Sequence, residues 1–169
     1  VAVAHCPLSN MKLGSGIAPL VAMRQAGITV ALGTDGPASN DTLDLWEEVK
    51  FAPFLARVSA LDATLLNPQE TLSMATRESA QAVGLTSVGS LASGMTADFI
   101  RLDMEHPAFV PVTETAELMA HIAWSGSSRS VTDVWVDGQP VVADSQILTV
   151  DEEKARAEVQ HRAQRLAAS

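Results

Sequence analysis

The sequence predicts an α/β fold, and three observations carry that prediction. Residues 1–4 and 28–32 are short apolar runs rich in β-branched side chains, the pattern of strands buried on both faces of a parallel sheet. Residues 17–26 lie between them with apolar positions at Leu20, Val21 and Met23, and Gly27 follows as a helix stop. Each apolar run ends in a loop, at His5-Cys6-Pro7 and at Gly33-Thr34-Asp35-Gly36. Strand, helix, strand in that order is the unit of a parallel sheet.

The run 9–16 is rich in small residues and carries Lys12. Asn40-Asp41-Thr42 is placed to cap a helix over 43–58, which Pro53 is expected to interrupt. Asn67-Pro68 with Glu70 opens a helix over 69–83, and Gly84 closes it. The character changes near Val88. Gly89, Gly94 and Gly138 punctuate short strand-like pieces at 98–102, 131–136 and 140–142, with a helical pattern over 115–124. The tail, 150–166, reads as an amphipathic helix capped by Asp151. The expected division is therefore 1–87 as an α/β part, 88–149 as a β part, and 150–169 as a terminal helix.

The chain has 169 residues, 47% of them hydrophobic and 18% charged, which fits a globular protein with a sizeable core. A net charge of −9 argues against a nucleic-acid partner. No apolar run approaches the roughly 20 residues of a membrane span. The single cysteine, Cys6, allows no internal disulfide and makes the cytoplasm the expected compartment. The first residue is not methionine and already lies in a strand-like run, the expectation for a truncated or processed piece of a longer chain.

The feature that points to chemistry is Asp35. A carboxylate at the end of a buried strand is removed from water, so it must be paired, hydrogen-bonded, metal-bound or protonated. Glycines on both sides let the backbone bend sharply beside it. Asp-Gly is equally a common turn pair, so the tetrapeptide alone leaves a turn role open.

Five segments in order resemble the amidohydrolase superfamily, in its aminohydrolase and chlorohydrolase branch. Residues 3–16, with His5-Cys6-Pro7-Leu8-Ser9-Asn10, are similar to that branch's seventh barrel strand and loop. Residues 26–40, around Gly33-Thr34-Asp35-Gly36, resemble the eighth strand, and 71–85 the last barrel helix. Residues 88–103 resemble the re-entry into a small β-sandwich, and 131–138 its final hairpin. The resemblance implies the last two βα units of a metal-dependent hydrolase TIM barrel plus the C-terminal portion of a β-sandwich. Within the branch, Ser9-Asn10-Met11-Lys12-Leu13, Ser39-Asn40-Asp41 and Pro111-Val112-Thr113 resemble deaminases of methylthioadenosine and S-adenosylhomocysteine. Guanine deaminases and triazine chlorohydrolases share much of the pattern. A non-catalytic module that keeps the fold is a further alternative.

The resemblance implies that Asp35 ligates a single catalytic zinc, or iron, and shuttles a proton from metal-bound water to the departing ammonia. A bound metal brings the pKa of its water to about 7, so hydroxide forms at neutral pH. The implied partner is a small heterocyclic substrate of purine type. His5, Ser9, Asn10 and Ser39 are candidate substrate contacts, each with a structural alternative: local hydrogen bonding for His5, turns for the others. Asn40 reads as a helix cap. Cys6 is expected to be a small buried apolar residue, Glu47 and Glu48 to be solvated, and Trp46 and Phe51 to pack. His106, His121 and His161 fall outside the barrel segments.

The family's other metal ligands, histidines on strands one and five, have no counterpart among four histidines that include no His-X-His pair. A catalytic zinc site needs about three protein ligands. The expectation is that these residues alone neither hold zinc productively nor turn over substrate, and that the chain works with a complementing N-terminal chain or as an oligomer.

Overall fold

The structure is a computed structural model and describes residues 1–168. Strand β1 (Ala2–His5) is followed by helices α1 (Pro7–Leu13) and α2 (Leu20–Gln25) and then by strand β2 (Thr29–Leu32). The strands pair in parallel, with Val3 opposite Val30 and His5 opposite Leu32. The predicted strand–helix–strand unit is therefore present, with one helix more than expected. The small-residue run after Cys6 winds into α1, with Pro7 in its first turn and Gly14 closing it in the left-handed region at φ 65°.

Helix α3 (Leu45–Ala60) runs through Pro53 without a break, against the expected interruption. Its buried residues Val49, Ala52, Pro53 and Ala56 form one stripe, and tertiary packing of that stripe outweighs the hydrogen bond the proline removes. Its cap is Asp44, whose side chain accepts from the Trp46 N–H at 2.9 Å, so the cap expected of Asn40 lies elsewhere. The helix expected over 69–83 is two: α4 (Pro68–Ala75) and α5 (Arg77–Ala82). They break at Thr76, at φ −120° and ψ −94°. The hydroxyls of Thr76 and Ser79 donate to the Leu72 and Met74 carbonyls at 2.8 and 2.6 Å, competing with the helical ladder.

The core gathers Val30 and Leu32 of β2, Leu20 of α2, Val49, Ala52 and Ala56 of α3, Met74 of α4, and Leu66 and Ala123. Strands β3 (Phe99–Leu102), β4 (Val131–Val136), β5 (Gln139–Ala143) and β6 (Gln146–Ile147) form one antiparallel sheet in that order. Between β3 and β4 lie α6 (Thr115–Ala120) and a π-turn at His121–Ser125, where the sequence predicted one helix. Helix α7 (Glu152–Ala167) follows, with Asp151 accepting from the Lys154 N–H at 2.9 Å as predicted. Among the described residues no helix is long and apolar enough to cross a membrane.

Candidate active site

Side chains alternate along a strand, so the parallel pair sorts its residues onto two faces. Val3, Val30 and Leu32 share the face that meets the helices, and His5 belongs to it by register. Its ring is buried, 5% exposed. Ala4 and Gly33 share the opposite face: a Cβ added at Gly33 would lie 3.9 Å from that of Ala4. His5 thus sits on the helix side of the strand pair. Burial holds its imidazole below the ordinary histidine range, which favours the neutral ring.

Beyond β2 the chain turns through Asp35, whose φ of 62° is left-handed, a conformation aspartate tolerates better than most residues. The turn leaves Asp35 solvent-exposed, so the burial expected of a strand-end carboxylate is not what holds it. Hydrogen bonds do. The Ser9 hydroxyl, on α1, donates to Asp35 Oδ2 at 2.9 Å, and the Ser39 hydroxyl donates to the same oxygen at 2.8 Å. Both serines are buried. Ser39, Ser9 and the Gly36 N–H, in that order of effect, hold the carboxyl below its ordinary range, which favours the ionised form. Ser9 and Ser39 are thus joined to Asp35. Asn10 is not among its donors within the described residues; its backbone carbonyl accepts from Ser15 N–H at 2.9 Å.

A second carboxylate lies behind the first. Glu48, in the first turn of α3, is fully buried rather than solvated. Its Oε2 accepts from the Leu8 N–H at 3.1 Å and its Oε1 from the Asn40 amide at 2.6 Å. The Asn40 carbonyl oxygen in turn accepts from the Leu43 N–H at 2.9 Å, so Asn40 braces the loop before α3. Desolvation pushes the Glu48 carboxyl up, and the Leu8 and Asn40 donors oppose it. A signal for this was present in the sequence: Glu48 lies four and eight residues before Ala52 and Ala56, on the stripe α3 buries.

Cys6 is half-buried, and burial with the nearby charges of Glu48 and Asp35 pushes its thiol up, as suits an inert side chain. Trp46 packs, donating its indole N–H to the Ile122 carbonyl at 2.6 Å. His106 accepts from the Ala108 N–H at 3.2 Å and the His121 ring meets the Pro111 carbonyl at 2.9 Å, both in the segment between β3 and β4. Among the described residues no three His, Cys, Asp or Glu side chains come together as a metal site. Asp35 is one carboxylate, and among the described residues no further side chains join it to complete a zinc site.

The profile of the amidohydrolase family matches residues 1–141. The chain belongs to the amidohydrolase family. A 5-methylthioadenosine/S-adenosylhomocysteine deaminase of Pelotomaculum thermopropionicum is 47% identical over 166 residues, 98% of this chain and 38% of the relative. A 5′-deoxyadenosine deaminase of Methanosarcina mazei is 41% identical over 99% of the chain and 38% of its own length. Among solved amidohydrolases, an adenosine deaminase of Xanthomonas campestris with bound zinc superposes with a TM-score of 0.93 at 34% identity, over 100% of this chain and 38% of that one. The atrazine chlorohydrolase of Arthrobacter aurescens, complexed with zinc, superposes at 0.84 with 31% identity over 95% and 35%. The chain therefore spans about 38% of the length of the curated relatives it matches.

Proposed function

We propose that this chain is the C-terminal portion of an amidohydrolase that deaminates a purine nucleoside of the methylthioadenosine, S-adenosylhomocysteine or 5′-deoxyadenosine kind. The observation that carries the proposal is Asp35: an ionised carboxylate at the C-terminal end of a parallel strand, aimed by two serine hydroxyls, in a chain 47% identical to such a deaminase. On this reading β1 and β2 are the last two strands of a (β/α)8 barrel, whose active face lies at the C-terminal strand ends. The antiparallel sheet of β3–β6 is part of a β-sandwich.

In the deamination, water adds to the ring carbon bearing the amino group, ammonia leaves, and the carbon becomes a carbonyl. Asp35 takes one proton from the water and passes it to the departing amine, while the second proton of the water goes to the adjacent ring nitrogen as the carbonyl forms. Asp35 would also supply one ligand to a zinc ion, the other ligands coming from outside this chain. Ser9 and Ser39 fix the carboxylate rather than contact the substrate. His5 supports the strand from its helix side.

The test is ammonia release by the full-length protein from methylthioadenosine, S-adenosylhomocysteine and 5′-deoxyadenosine, with guanine and atrazine as competitors. The nucleosides should be the preferred substrates, and Asp35→Asn should lower kcat/KM by about 10²- to 10⁴-fold. Faster chloride release from atrazine would transfer the chain to the chlorohydrolases, the second reading that its likeness to the Arthrobacter enzyme supports.

A further inference from the structure

Glu48 has no part in the chemistry described above, yet it is a fully buried carboxylate. A buried carboxylate costs free energy unless hydrogen bonds replace its water. Glu48 receives two such bonds, and both donors stand next to a serine that holds Asp35. Leu8, whose N–H meets Oε2 at 3.1 Å, precedes Ser9. Asn40, whose amide meets Oε1 at 2.6 Å, follows Ser39. The first turn of α1 leaves orphan N–H groups, and its N-cap residue, Cys6, makes no side-chain cap. Glu48 supplies that cap from 40 residues away. We propose that Glu48 is a positioning residue for Asp35: its carboxylate clamps the two segments that carry Ser9 and Ser39 and so fixes the aim of both hydroxyls on Asp35 Oδ2.

The clamp needs two acceptors on one side chain. Glutamine offers one acceptor and one donor group, so in Glu48→Gln either the Leu8 N–H or the Asn40 amide faces another donor. Asn40 cannot rotate its amide to relieve the clash, because its carbonyl oxygen is held by the Leu43 N–H at 2.9 Å. The exchange Asn40→Asp with Glu48→Gln restores every bond. The carboxylate introduced at position 40 then accepts from the Leu43 N–H and from the amide introduced at position 48. The carbonyl oxygen of that same amide group accepts from the Leu8 N–H. Net charge is unchanged.

The proposal rests on Asp35 being the working group of the full-length deaminase, and the experiment separates the two claims. In the full-length protein, Glu48→Gln should lower kcat about a hundredfold, as loss of ångström-scale positioning does, with KM nearly unchanged. The Asn40→Asp/Glu48→Gln exchange should restore kcat. Ser9→Ala/Ser39→Ala should lose at least as much as Glu48→Gln, and adding Glu48→Gln to that pair should cost nothing more, since both act through one path. A wild-type kcat in Glu48→Gln, multiplying losses, or no rescue by the exchange each overturns the clamp. Crystal structures of the same variants read the clamp without activity. One serine should leave Asp35 in Glu48→Gln and return in the exchange variant; two unmoved serines overturn the proposal even where no nucleoside is a substrate. Where Glu48→Gln does not fold, the exchange variant decides: both serines on Asp35 with wild-type kcat support the clamp, and a displaced serine refutes it.

Discussion

At the scale of residues, the sequence marked Asp35 because three local facts coincided: an apolar strand, flanking glycines and a carboxylate at the strand end. It could name Ser9 and Ser39 but not their convergence on one oxygen, because Ser9 lies 26 residues from Asp35 and only the parallel pairing brings them together. Glu48 escapes a reading that weighs charge above its place on the α3 stripe. His5 was legible only as an ambiguity, and strand register resolves it to the helix side. That placement has a consequence for acid stability. The His5 imidazole is held below its ordinary 6.5 by burial, so between that folded value and 6.5 the unfolded chain binds more protons. The contribution is therefore fully present above pH 6.5 and is lost as pH falls from there through the folded value. Glu48, raised above its ordinary 4.5, works in the opposite sense, so a comparison of variants is needed. Thermal midpoints followed from neutral pH downward should fall less steeply for His5→Asn than for the wild type. Parallel curves for the two proteins would remove His5 as a source of acid lability.

At the scale of elements, local signals were read well wherever the chain's own neighbours decide the structure. Asn67, Pro68 and Glu70 form a reciprocal capping box: the Glu70 N–H meets the Asn67 side chain at 2.9 Å and the Asn67 N–H meets Glu70 at 2.8 Å. Asp151 caps α7 in the same local way. The errors fall where tertiary contacts override propensity. Pro53 does not break α3, because the buried stripe on either side of it holds the helix. The continuous pattern over 69–83 does break, at Thr76, where the Thr76 and Ser79 hydroxyls compete with the ladder and the loop at Gly89 closes in. A Cβ at Gly89, itself at φ 90°, would come within 2.9 Å of the Arg77 Cα and the Ala80 Cβ. Nothing near Thr76 in sequence announces that approach. The box at the head of α4 carries the prediction for this scale. Asn67→Ala removes one N-terminal acceptor and should destabilise the fold by about 1 kcal/mol, read as a lower urea midpoint at unchanged slope. Asn67→Gly should cost only a few tenths of that unit. Equal losses for the two substitutions would mean that Asn67 acts by something other than its cap.

At the scale of the whole molecule, the parallel sheet has two strands, and both of its outer edges are unpaired among the described residues. On the proposed barrel reading, closure takes about eight strands. Ala2 and Ala4, on the face away from the helices, are exposed, and large apolar side chains such as Val83, Leu91 and Leu61 stand in solvent at 71%, 78% and 92% exposure. On the function proposed above, those surfaces and the 38% share of the curated relatives' length go together: the chain would carry part of an active site completed by residues outside it. Metal binding tests it directly. A catalytic zinc takes about three protein ligands, and among the described residues no three His, Cys, Asp or Glu converge. Asp35, though ionised and aimed, is one carboxylate on an exposed turn and should hold zinc only weakly by itself. After dialysis against metal-free buffer, the 169-residue chain should retain well under one zinc per molecule, and the full-length protein close to one. Asp35→Ala in the full-length protein should weaken zinc retention without abolishing the fold, since the Asp35 side chain lies outside the core. Supplying the N-terminal remainder as a separate chain should raise zinc in the 169-residue chain only if the two associate, which ties metal content to assembly. One tightly bound zinc in the chain alone would mean that these residues build a complete site by a rearrangement of β1, α1 and the turn at Asp35, and the divided-site reading would fall with it.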